Sequence, residues 1–157
     1  MDFLNDLLSN GVLISALLSW FISQLIKTLH TLFTTRKVNF ERLVGAGGMP
    51  SSHSALVCSM CTAIARVLGA ASVEFALAVA FASIVMYDAM GVRRAAGEHA
   101  KILNKIVFKI SLTPEEQNES SEEMLTNKEL KEFLGHTPMQ VVMGALLGIV
   151  IGLFYPL

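Results

Sequence analysis

No charged residue interrupts the 20 positions from Leu7 to Ile26, or the 21 from Thr137 to Leu157. A helix needs about 20 apolar residues to cross a hydrocarbon core about 30 Å thick. Inside such a core every backbone N–H and C=O must be satisfied by the chain itself, so runs of this length dictate helices. Two further runs extend the pattern: Ser54 to Val73, broken only by Arg66, and Phe75 to Tyr87, ending near Asp88 to Val92. Gly69-Ala70-Ala71-Ser72 between them predicts a hairpin, with Arg66 and Glu74 pairing at the membrane surface. Composition agrees, since 53% of residues are hydrophobic, 16% are charged and mean hydropathy is +0.56. A soluble domain carries about 25% charged residues. The chain therefore reads as all-α: a polytopic helical membrane bundle of about four transmembrane helices, forming one domain over residues 1–157.

The remaining segments are polar or amphipathic. From His99 to Ile110, Ile102, Leu103, Ile106, Val107 and Ile110 share one helical face, while Lys101, Lys105 and Lys109 recur every four residues on another. This pattern predicts an amphipathic helix on the membrane surface. Residues 111–125 are acidic and serine-rich, a composition that predicts a mobile loop. Thr126-Asn127-Lys128-Glu129 has capping-box spacing and opens a short helix that Gly135 closes. In the last run Gly144, Gly148 and Gly152 repeat every fourth residue, a stripe that lets a neighbouring helix approach closely. Cys58 and Cys61 have C-x-x-C spacing but lie in an apolar helical run, where they read as packing residues. No zinc-ligand cluster or disulfide framework is present in the sequence.

Lysine and arginine fix the expected orientation. Four lie between the first and second runs (Lys27, Arg36, Lys37, Arg42), and seven lie between the third and fourth; of the twelve, only Arg66 falls elsewhere. The positive-inside rule predicts a multi-pass cell-membrane protein with both polar segments cytoplasmic and both termini outside. Met1-Asp2 offers no basic region before the first apolar run, which argues against a cleaved signal peptide.

With four up-and-down spans, one membrane face collects an unusual inventory. Lys27 ends the first span, and Asp88, Arg93 and Arg94 end the third. The second opens on Gly47-Gly48-Met49-Pro50-Ser51-Ser52-His53, a glycine turn and capping serines leading into a helix N-terminus. The fourth opens on Gly135-His136-Thr137-Pro138. Helix N-termini, cations and two imidazoles suit phosphate, supplying donors for its oxygens, a nucleophile and a proton donor. Each piece also has a plain role: the arginines as cytoplasmic anchors, Asp88 as their ion-pair partner, the histidines as helix caps. His30 and His99 read as surface residues.

At these residues the chain resembles a known family. Pro50-Ser51-Ser52-His53 is similar to the P-S-G-H motif of the type-2 phosphatidic acid phosphatase and vanadium haloperoxidase superfamily. Gly135-His136-Thr137-Pro138-Met139-Gln140-Val141 looks like its last motif, and with Tyr87-Asp88-Ala89-Met90-Gly91-Val92-Arg93-Arg94 the pattern resembles a divergent membrane branch of that superfamily. The resemblance implies His136 as nucleophile forming a phosphohistidine and His53 as acid to the leaving group, with Asp88 as a third catalytic candidate. Lys27, Ser51, Ser52, Arg93 and Arg94 would bind phosphate, and Gln140 would orient His136. Three positions depart from the superfamily. Lys27 lacks a downstream Arg-Pro, Glu129-Leu130 stand where Ser-Arg is expected, and Gln140 replaces an acid.

The function these residues imply is a phosphoric ester hydrolase needing neither metal nor cofactor. It would act on a lipid phosphate or pyrophosphate, or another phosphomonoester, at the cytoplasmic face. The alternative is a catalytically weak or inactive membrane protein that binds an anionic headgroup or a partner; Gln140 favours it. Haloperoxidase chemistry ranks third. Membrane lipid is an expected partner and nucleic acid is not, while a homo-oligomer is compatible with the chain.

Overall fold

The computed structural model describes residues 2–35, 48–111 and 135–157. They form six helices: α1 (Asp2–Ser9), α2 (Gly11–Thr35), α3 (Ser52–Leu68), α4 (Val73–Met90), α5 (Val92–Ser111) and α6 (Pro138–Phe154). The described residues hold no strand, so the all-α expectation stands. Gly11–Phe33 and Val73–Ile106 are long and apolar enough to cross a membrane, while α3 and α6 are shorter apolar helices of 17 residues. At about 1.5 Å per residue each of the shorter pair is about 26 Å long.

The first apolar run does not start where its charges suggest. The chain breaks at Asn10, whose Oδ1 accepts from Leu13 N at 3.0 Å and caps α2. The long helix therefore begins at Gly11 and carries Lys27 in its interior, two turns before its end. Ser51 caps α3, its hydroxyl accepting from Ser54 N at 3.4 Å, after a cis Met49–Pro50 peptide. Gly69, at φ +86°, ends that helix and Ser72 caps α4, which makes the expected hairpin.

Arg66 does not pair with Glu74. Its guanidinium donates instead to the Gly152 and Tyr155 carbonyls, at 2.9 and 2.7 Å. The last carbonyls of α6 have no intrahelical partner and carry its partial negative charge, so a cation there is doubly favoured. α5 also begins earlier than expected. Gly91 interrupts α4, but the helix resumes at Val92, which puts Arg93 and Arg94 in the first turn of α5.

α3 is the central helix, packed against α2, α4 and α6. Small residues make this possible. A Cβ at Gly152 would lie 2.7 Å from Ser59 O, and one at Gly148 would lie 2.9 Å from both Ala55 C and Ser59 N. The glycine stripe thus presses on the α3 backbone. Cys58 and Cys61 are buried free thiols, and Cys58 Sγ contacts Met86 Sδ at 3.9 Å.

The interior of the bundle mixes small apolar residues with buried hydroxyls, while large apolar side chains cover the outside. Its largest fully buried side chains are serines: Ser15, Ser19, Ser23, Ser51, Ser52, Ser54 and Ser59. Phe21, Leu25, Leu77, Phe81, Ile84 and Val150 point outward, exposed. That inversion suits an apolar surrounding, where small and hydroxyl residues hold helices together. Arg36, Lys37, Arg42, the loop after Ser111 and the short helix from Thr126 lie outside the described residues.

Candidate functional site

Four helices meet at one end of the bundle, and three long-range hydrogen bonds fasten them. Lys27 Nζ, from α2, donates to Ser52 Oγ of α3 at 3.2 Å. Ser51 N donates to Gln140 O of α6 at 2.9 Å, and His136 N donates to Ala89 O of α4 at 2.9 Å. Gly135 completes the join. At φ +98° it lies against the backbone of Arg93 and Arg94, where a Cβ would come within 2.7 Å of Arg94 Cα. Only glycine fits that conformation and that space together.

The sequence at Thr137 builds the local geometry of the imidazole. Thr137 is the N-cap of α6, Pro138 occupies the first turn and Gln140 closes a capping box. Gln140 Oε1 accepts from Thr137 N at 3.1 Å, and His136 Nδ1 lies 3.1 Å from the same oxygen. A backbone N–H can only donate, so the Gln140 atom is an acceptor. Nδ1 must then carry the proton, and Nε2 presents its lone pair. His136 is 2% exposed, and its Nε2 is buried with no hydrogen-bond partner. Burial lowers its pKa, and the charges of Lys27, His53 and Arg93 lower it further, against an opposing pull from Gln140. The ring is held neutral near pH 7.

Lys27 is 4% exposed, and among the described residues no carboxylate lies within ion-pair distance of it. A buried cation without a counter-ion is costly, so the site is short of negative charge. His53 stands half-buried one residue into α3, close enough for its charge to act on His136. Ser52 Oγ accepts from Lys27, which leaves its own proton for another acceptor.

The candidate residues are not all used alike. Ser51 Oγ serves as a cap, accepting from Ser54 N and, at 3.0 Å, from Ser54 Oγ. Asp88 accepts from Arg93 Nε in an ion pair, so its carboxylate holds the guanidinium rather than facing the imidazoles alone. Arg93 acts electrostatically on His136. Arg94 is exposed, as Arg93 is, but it is Arg93 that pairs with Asp88. Sequence reasoning missed the buried polar face of α2. Ser15, Ser19, Ser23 and Lys27 recur every fourth residue and are all buried, with Gln24 beside them, and Ser19 Oγ and Gln24 Oε1 lack partners. That period of four was the available signal. Among the described residues no group of three or more His, Cys, Asp or Glu is placed to hold a metal ion.

These features define a helical membrane protein with a polar, cation-rich site at one end of its bundle. The chain belongs to the Divergent PAP2 family, which it matches over residues 8–151. It is 40% identical over 150 residues to YuiD, an uncharacterized membrane protein of Bacillus subtilis (strain 168), across 94% of this chain and 95% of that protein. No solved structure matches it.

Proposed function

We propose that the protein is a metal-independent phosphatase acting at the cytoplasmic membrane face on a lipid phosphate or pyrophosphate, or on another phosphomonoester. The observation that carries the reading is the His136 imidazole. Its Nδ1 proton is bound by Gln140, and among the described residues its buried Nε2 has no partner and the buried Lys27 no counter-ion. A phosphate group would supply the missing negative charge. Nε2 attacks phosphorus, the bond from phosphorus to the leaving oxygen breaks, and His53 passes a proton to that oxygen. Water then attacks the phosphohistidine, giving its proton to His53, and phosphate departs. Lys27, the Ser52 hydroxyl and Arg93 stabilise the equatorial oxygens, and Asp88 positions Arg93.

A second reading rests on Gln140. An amide orients the ring but carries no charge to stabilise an imidazolium, which favours a site that binds an anionic headgroup without turnover. A phosphate-release screen with the purified protein, across lipid and soluble phosphoesters, separates the two. Turnover abolished by His136→Ala supports the phosphatase. Tight binding of vanadate or phosphate without turnover on any ester supports the binding protein.

A further inference from the structure

Apart from Arg93, the charge on α5 does not belong to the site just described. Around that helix the described side chains divide into three sectors. Gly97 and Ala100 are buried. Arg94, Glu98, Lys101 and Lys105 form a second, charged sector in which Lys101 Nζ donates to Glu98 Oε1 at 3.0 Å. The third is exposed and apolar except for His99: Val92, Ile102 (56%), Leu103 (49%) and Ile106 (47%). α5 packs mainly against the end of α4, and its apolar sector is exposed.

The geometry points to α5 as a docking surface for an anionic lipid leaflet, its apolar sector sunk among acyl chains and its basic flank against headgroup phosphates. Charge decides the occupant. The charged sector holds three cations and one carboxylate, and the sequence continues the lysine period to Lys109. A second copy would bring like charges together, and a zwitterionic leaflet would leave the lysines without counter-ions. The position of α5 is also fixed. Its first turn is clasped by the Asp88–Arg93 ion pair and by Gly135, so a docked α5 holds that end of the bundle at headgroup level.

The test places a tryptophan by Leu103→Trp in a Trp20→Phe background, with the protein reconstituted in vesicles. These are phosphatidylcholine alone, or phosphatidylcholine with phosphatidylglycerol, each with brominated acyl chains. In the presence of phosphatidylglycerol the introduced indole should be quenched and blue-shifted. Lys101→Gln with Lys105→Gln should lower the docked-to-free ratio about tenfold, each basic residue counting for roughly fivefold and Lys101 for less because of Glu98. Ile106→Trp supplies an independent probe if Leu103→Trp does not fold. Equal quenching with and without phosphatidylglycerol overturns the proposal. So does an indole that no brominated lipid quenches but whose emission changes on dilution, the signature of a second copy on that face.

Discussion

Adding one methyl group at Gly148 should loosen the whole α3–α6 contact. The Cβ of Gly148→Ala would overlap the Ala55 carbonyl and stand 2.9 Å from Ala55 C and Ser59 N, all backbone atoms of α3. Comfortable carbon contacts are about 3.5–4.0 Å, so the helices must part by roughly 0.6–1 Å. A gap of that size forfeits a quarter to a half of the dispersion energy along the seam, which includes Gly144 and Gly152. Backbone on both sides cannot rotate away as a side chain would. A cost of about 2 kcal/mol follows, within the range for overpacked cores. For a chain of this size that lowers Tm by roughly 4–8 °C. Leu146→Ala, at an outward site 51% exposed, is the control and should change Tm far less. The same opening would strain the Ser51 N to Gln140 O hydrogen bond of 2.9 Å, so activity should fall with stability. Thermal unfolding in detergent reads the first effect. Equal Tm values for the two variants would refute the close-approach account of the glycine stripe.

Other outcomes follow from the site. Lys27→Met removes a buried cation that has no counter-ion among the described residues and should raise Tm, by roughly 1 kcal/mol of stability, while abolishing vanadate binding; a lower Tm would mean the lysine is already compensated. His53→Ala should cost about 10²–10⁴-fold with poor leaving groups and much less with good ones, measured as initial phosphate release. Gln140→Leu leaves the Thr137 amide and Nδ1–H without their acceptor and should cost about 1–3 kcal/mol of stability together with most of the activity, whereas Gln140→Asp should raise turnover. The folded His136 resists protonation, so below about pH 6.5 the unfolded chain binds the proton more readily. That residue's contribution to stability should therefore be absent above pH 6.5 and turn unfavourable as pH falls through that value, an acid limb that His136→Phe should flatten in urea titrations.

Much of this arrangement was legible because it depends on local chemistry. The serine cap at Ser51, the glycine turn at Gly69 and the glycine stripe all act through neighbouring backbone, and sequence spacing reports such neighbours directly. The convergence of Lys27, His53 and His136 followed from the alternation of apolar runs, which brings the end of one and the start of the next to the same end of the bundle. What stayed hidden depends on partners distant in sequence. Arg66 had a visible carboxylate in Glu74, but the stronger attraction was to carbonyls at Gly152 and Tyr155, which no side-chain pattern advertises. Arg93 and Arg94 looked equivalent until the first turn of α5 turned one of them, Arg93, toward Asp88. The serine period on α2 was overlooked because hydroxyls inside an apolar run count as uncharged, although they mark its buried face.

The central claim is that His136 Nε2 bonds to phosphorus. The direct measurement is mass spectrometry of the reconstituted protein, mixed with a turned-over phosphoester and quenched in alkali, which preserves phosphohistidine. One phosphate is expected on His136, on Nε2 because Nδ1 is bound to Gln140, lost in His136→Ala and accumulating when His53 is replaced and the ester has a good leaving group. Steady phosphate release with no adduct on His136, or release unchanged in His136→Ala, would contradict it.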